Sequence, residues 1–242
     1  MRTALVTGAG RGIGAATARA LGRRGFHVVV NYRSDGASAD QVVRDIETTG
    51  GSATTIGADV TDAAQAAELV AASGRLAALV CNANIQPAFV PLAQLQWEVL
   101  SAGVTAELAA AFHVTKAALP MLGRGSHVVY VSSVAADTFS TGGAVLSTKK
   151  AALDAFAQQV ATEAGPEGVA VNIVAPGAVR TDASAAILTP EMVTELQSRS
   201  VLGRILEPAD VGALIAALAA GELPGLAGVR VPIDGGYRLM AS

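Results

Sequence analysis

Cysteine, charge and long apolar runs are all scarce in this chain, and each shortage removes a class of protein. The single cysteine, Cys81, has no partner for an intrachain disulfide, so a reducing, cytoplasmic setting is expected. Charged residues make up 15% of the 242 positions, against the ~25% usual for soluble domains. A net charge of −3 gives no basic footprint, and no nucleic-acid partner is expected. No apolar run is long enough to cross a bilayer without Gly, Pro or charge, and Met1-Arg2 lead straight into a strand-like run. Neither a membrane span nor a leader is therefore expected. His27, His113 and His127 fall in separate elements without metal-ligand spacing, so no metal is expected. What is present is 51% hydrophobic, enough for a large core and for apolar surface buried between subunits.

The most informative stretch is Thr7-Gly8-Ala9-Gly10-Arg11-Gly12-Ile13-Gly14, which follows Ala4-Leu5-Val6 and opens a helical pattern. It reads as strand, tight turn, helix. Glycines there permit positive φ and close approach of a ligand, and the N–H groups of the new helix favour an anion such as a dinucleotide pyrophosphate.

Short β-rich runs then alternate with Ala-rich helical stretches, the pattern of a parallel sheet covered on both faces. Strands are expected near residues 3–7, 27–31, 53–57, 77–81, 127–132, 170–174 and 229–233, with helices near 13–24, 37–49, 63–72, 95–122, 144–164 and 208–220. No linker interrupts the series. The expected architecture is one α/β domain over residues 1–242, a three-layer Rossmann-type fold with a seven-stranded parallel sheet.

The second strand ends in Asn31-Tyr32-Arg33-Ser34, where Arg33 can pair with a ribose 2′-phosphate; Arg11 offers a second cation. Both favour NADP(H) over NAD(H). Asp59, before Val60, is placed to bond an adenine amino group or to cap the next helix, and capping is the reading preferred for Asp62.

Taken together, the motifs TGAGRGIG at 7–14, NYRS at 31–34, DVTD at 59–62, Cys81-Asn82-Ala83-Asn84, Ser132-Ser133-Val134, Lys150-Ala151-Ala152-Leu153, Pro176-Gly177-Ala178-Val179-Arg180-Thr181 and Ile233-Asp234-Gly235-Gly236 resemble the short-chain dehydrogenase/reductase family. The nearest likeness is to ketoacyl-carrier-protein reductases and their relatives in secondary metabolism. The resemblance implies cofactor contacts from Gly8, Gly10, Gly12, Ile13, Gly14, Ser34, Asp59, Val60, Asn82 and Ala83. It implies further contacts from Lys150 at the nicotinamide ribose, and from Pro176, Gly177, Val179 and Thr181 at the carboxamide end. It also implies a substrate lid over about 182–203, with Leu188, Met192 and Leu196 lining it or packing, and homodimers or homotetramers built from the two long helices and residues 229–242.

The catalytic residues are where the sequence departs from the resemblance. Ser133 and Lys150 match the family's serine and lysine, but the tyrosine position, four before Lys150, is Leu146. Tyr32, Tyr130 and Tyr237 lie in other elements. The family's asparagine falls on Glu107 when counted back from Phe112 and Lys116, and on Val104 when counted forward from Trp97. Asn84 replaces a glycine beside the nicotinamide ribose, where its side chain is expected to crowd or contact the cofactor and its backbone to tolerate the left-handed conformation.

For Glu107 two readings stay open: an enclosed acid or base with a raised pKa near Leu146, or a solvated or interface helix residue. Three functions follow. One is a reductase, acting on a polyketide-like or other secondary-metabolite carbonyl, free or carrier-bound, that takes its proton from water held by Ser133 and Lys150, from the substrate, or from Glu107. The second is a non-redox cyclase, dehydratase or isomerase using the same pocket; the third is a noncatalytic NADP(H)-binding subunit.

Overall fold

The computed structural model describes residues 2–185 and 188–240. In chain order the elements are β1 (Arg2–Val6), α1 (Gly12–Gly22), β2 (Phe26–Tyr32), α2 (Gly36–Thr48), β3 (Ser52–Gly57), α3 (Ala63–Ser73), β4 (Leu76–Cys81), α4 (Trp97–Ala118), β5 (Leu122–Val131), α5 (Ala144–Ala164), β6 (Ala170–Pro176), α6 (Asp182–Ala185), α7 (Pro190–Ser198), α8 (Pro208–Ala219), β7 (Arg230–Ile233) and α9 (Tyr237–Met240). The strands form one seven-stranded parallel sheet in the order β3-β2-β1-β4-β5-β6-β7. The order reverses between β1 and β4, and the crevice beyond their carboxyl ends is where an open α/β sheet takes a ligand.

Alternation along β1 shows how the sheet is covered. Ala4 and Val6 pack with Leu21 of α1, Val42 and Ile46 of α2 and Ile215 of α8. Leu5 points the other way, into a second core with Leu69 of α3, Val114 of α4 and Leu153 of α5. Successive side chains on opposite faces thus give the three layers their two cores.

The differences from expectation lie at element ends and between β6 and α8. Strand β5 begins at Leu122, before its β-branched run, and the β4–β5 register is irregular between Leu76 and Ala78. Helix α4 stops at Ala118 and passes into a single tight turn over Leu119–Met121, where Pro120 removes a helical N–H. Within 182–203 the chain forms α6 and α7, neither of which buries a residue; Ala186 and Ile187, part of the expected lid, lie outside the described residues. So do Met1 and the last two residues of the expected 229–242 oligomerisation segment. Asp62 caps α3 as expected, accepting from Ala64 and Gln65 N–H groups at 2.9 Å each. Among the described residues no helix is long and apolar enough to cross a membrane.

Candidate active site

The glycine turn is shaped by its neighbours as much as by its glycines. Gly8 and Gly12 have φ of +61° and +56°, and a Cβ on Gly14 would stand 2.4 Å from the Gly8 carbonyl oxygen. The Asn82 side-chain amide donates to the Thr7 and Gly8 carbonyls at 2.9 and 3.1 Å, while its backbone N–H and that of Ala83 donate to the Thr7 hydroxyl. Asn82 therefore acts on the turn itself. Asn31 does the same from β2: its Oδ1 accepts from the Gly8 N–H at 3.2 Å, and its amide donates to the Ile56 and Ala58 carbonyls. Sequence reasoning quoted Asn31 without giving it a role; a buried amide at a strand end beside a glycine turn is the signal that was there. Helix α1 opens with no side-chain cap and no acidic residue in its first turn, so no side chain of its own compensates its N-terminal dipole. Such a cradle fits a dinucleotide's phosphates.

Arg11, Arg33 and Ser34 are all exposed, and Ile13 is partly buried beside them at the start of α1. Asp35 is engaged by the Ser38 N–H and hydroxyl, which hold its carboxyl below the usual range, so it caps α2. Asp59 accepts from the Thr61 hydroxyl at 2.7 Å and N–H at 2.9 Å through Oδ1, and these bonds lower its pKa. Its following residue, Val60, is buried. On the far side Pro176 and Val179 are buried, and Gly177 passes so close to Asp234 that a Cβ would sit 2.8 Å from the Asp234 Cβ. The Thr181 methyl comes within 3.4 Å of where a Gly12 Cβ would be.

Glu107 is neither solvated nor at an interface. It is 3% exposed, and its two carboxylate oxygens accept separately from two lysines: Oε1 from Lys150 Nζ at 2.6 Å and Oε2 from Lys149 Nζ at 2.8 Å. The register counted back from Phe112 is thus the one that turns inward. Burial pushes the Glu107 pKa up, but the Lys150 and Lys149 ammonium groups more than offset it, so the pKa is lowered rather than raised. With both carboxylate oxygens accepting from ammonium groups, Glu107 is placed to hold the two lysines. Lys150, 4% exposed, also donates to the Val131 carbonyl at 2.9 Å. An ammonium has three donors, and among the described residues two of those of Lys150 are taken.

Lys149, which sequence reasoning missed, is 0% exposed and donates to Asn84 Oδ1 at 3.0 Å and to the Ile85 carbonyl as well as to Glu107. Asn84 therefore points its oxygen at a lysine, and its φ is not positive, so the backbone there makes no use of asparagine's tolerance of the left-handed conformation. Burial lowers the Lys149 pKa despite the nearby carboxylate. Leu146 is half-buried one turn before Lys150 on α5. Ser133 accepts from the Ala135 N–H at 3.1 Å and donates to the Pro176 carbonyl at 3.4 Å, a long bond that a better acceptor could displace.

Tyr130 cannot serve this cluster, because it is fully buried with its hydroxyl 2.6 Å from Thr115 Oγ1. Burial drives the Cys81 thiol up to about 12, making it inert. A small void of about 10 Å³ lies between Glu107, Thr7, Cys81, Ala83 and Leu153, at the lower limit for one water. The larger cleft, 430 Å³, lies outside, between α1, α8 and the Arg180–Asp182 segment, and touches the glycine turn only at Gly12. Among the described residues no group of three His, Cys, Asp or Glu side chains could hold a metal ion.

The chain is similar to known proteins along almost its whole length. Residues 8–238 match the family model described as enoyl-(acyl carrier protein) reductase. An uncharacterised oxidoreductase of Methylorubrum extorquens is 37% identical over 98% of both chains. Versicolorin reductase 1 of Dothistroma septosporum is 35% identical over 97% of this chain and 95% of its own. Among solved structures, the angucycline C-6 ketoreductase LanV with bound NADP superposes with a TM-score of 0.91 at 29% identity, covering 98% of this chain and 96% of that one. On its sheet order, glycine turn and this coverage, the chain belongs to the short-chain dehydrogenase/reductase family of oxidoreductases.

Proposed function

We propose that this protein is an NADP(H)-dependent ketoreductase acting on a polyketide-like or other secondary-metabolite carbonyl, free or carrier-bound, with Lys150 in place of a tyrosine as the proton source. The observation that carries this reading is the Lys150 ammonium, held by Glu107 at 2.6 Å and by Val131 at 2.9 Å with one donor left over. Versicolorin reductases and an angucycline ketoreductase among the similar proteins support the substrate class.

Residues Gly8, Gly10, Gly12, Ile13 and Gly14 would hold the pyrophosphate, Asp59, Val60 and Ala83 would flank the adenosine, and Pro176, Gly177, Val179 and Thr181 would hold the carboxamide end. When bound, the nicotinamide supplies hydride to the carbonyl carbon. Lys150 Nζ gives its proton to the carbonyl oxygen as negative charge develops there, Ser133 Oγ orients that oxygen, and solvent returns the proton to the neutral amine. Glu107, ionised throughout, holds the amine in place. The test is to mix the purified protein with NADPH and polycyclic phenolic ketones. Oxidation of NADPH with formation of the alcohol is expected, and no oxidation with any of a broad panel contradicts the reading.

Arg33 and Arg11 carry the cofactor choice, since Arg33 directly follows β2, Arg11 acts electrostatically on Asp35 there, both are exposed, and the Asp35 carboxylate is engaged by Ser38. Arg33→Ala is expected to weaken NADPH by about tenfold or more, the worth of a charge-assisted bond, and to leave NADH unchanged. Fluorescence titration reads both; equal losses would assign Arg33 no part in the preference. Exposed Trp97, Phe112 and Leu119 on and just after α4 support a homodimer or homotetramer, to be read by light scattering.

A further inference from the structure

Asn84, Glu107 and Lys149 all depart from what the functional reading alone requires, yet they meet in one cluster, with Glu107 and Lys149 buried and Asn84 at its exposed edge. The donor count is informative. All three protons of Lys149 Nζ have acceptors, namely Glu107 Oε2 at 2.8 Å, Asn84 Oδ1 at 3.0 Å and the Ile85 carbonyl. Lys149 therefore has nothing left for a ligand, whereas Lys150 has one donor free among the described residues. The two lysines cannot have the same job.

The charge count points the same way. Two ammonium groups and one carboxylate, with side chains 0%, 5% and 2% exposed, give the cluster one more cation than anion, and Asp154 is a further carboxylate that the Lys150 charge reaches. Left with Lys150 alone, Glu107 could turn either oxygen toward it. With Oε2 tied to Lys149, only Oε1 faces Lys150, and Lys149 in turn ties that carboxylate to the Asn84–Ile85 segment after β4.

We propose that Lys149 is a positioning residue that works through Glu107: it fixes the carboxylate and the Asn84–Ile85 segment together, so that Lys150 presents its remaining N–H from one place, to the nicotinamide ribose in the NADPH complex and to the carbonyl oxygen once ketone is bound. This rests on the reading of Lys150 as a ligand-contacting residue. Lys149 touches neither substrate nor cofactor; its contribution is the alignment of a group that does.

The test is a pair of double-mutant cycles read by NADPH dissociation constant, on folded protein well below each variant's Tm. Glu107→Gln leaves two buried ammonium groups facing each other and is expected to weaken NADPH about tenfold or more; adding Lys149→Met removes one of them and is expected to recover much of the loss. Asn84 is exposed, so Asn84→Ala provides a variant that folds readily. It is expected to weaken NADPH about threefold in the wild-type background and to have no effect in the Lys149→Met background. Additive losses in both cycles overturn the proposal, as does coupling that appears in Tm but not in the dissociation constant, which is what a merely structural cluster would give. If the wild type binds no NADPH, the cofactor reading fails and the positioning role falls with it; if the wild type binds and the cycles are additive, only the positioning role fails.

Discussion

Glu107→Gln is expected to cost about 3–5 kcal/mol of stability, the range for breaking a buried ion pair and leaving the partner charge uncompensated. At this chain length that corresponds to a fall in Tm on the order of 10 °C. The loss is large because Lys149 and Lys150 stay buried, 0% and 5% exposed, with only a neutral amide between them. The pH dependence carries its own sign. Because the Glu107 pKa is lowered in the folded protein, its contribution is fully present above the unfolded carboxylate value of about 4.3 and is lost as pH falls through the lower folded value. The gap in Tm between wild type and Glu107→Gln should therefore narrow as the solution is made more acid than that. A gap that stays constant would mean that Glu107 contributes through packing rather than through charge.

Leu146→Tyr is the second large effect. The side chain at 146 is half-buried, one helical turn before Lys150, so a phenol there would reach the region that Lys150 faces. A positioned acid is worth about 10²–10⁴ in rate, and a hydroxyl backed by a lysine should raise the rate of carbonyl reduction by at least about 10² if proton delivery limits turnover. Steady-state rates with NADPH and the best ketone of the panel read it directly. A loss of activity instead would show that Leu146 packs against substrate in a chemistry that does not use a phenol.

All seven strands could be read from the sequence because their short apolar or β-branched runs alternate with Ala-rich helical stretches, and the glycine turn announced the crevice at the sheet's carboxyl edge. The start of β5 was hidden, since Leu122-Gly123-Arg124-Gly125 has no strand propensity and is extended by pairing and local bonds rather than by its own preference. The cluster around Glu107 was harder. Adjacent residues on a helix point about 100° apart, so a Lys149-Lys150 pair predicts one lysine inward and one in solvent. Long, flexible stems let both converge on the two oxygens of one carboxylate, with Asn84 supplying an acceptor from a separate loop. None of these three positions signals the others in a one-dimensional pattern. The same cluster accounts for the two departures at 84 and 107, which the sequence presented as unrelated losses.

Hydride transfer from NADPH, although position 146 holds leucine, is the step on which the ketoreductase reading stands. It is tested most directly with NADPH carrying deuterium at its transferable position, incubated with wild-type protein and a phenolic polycyclic ketone, the product being analysed by mass spectrometry. One deuterium on the new carbinol carbon is expected, and loss of that product in Lys150→Met. NADPH bound tightly while the ketone panel is recovered unlabelled and unreduced would contradict it.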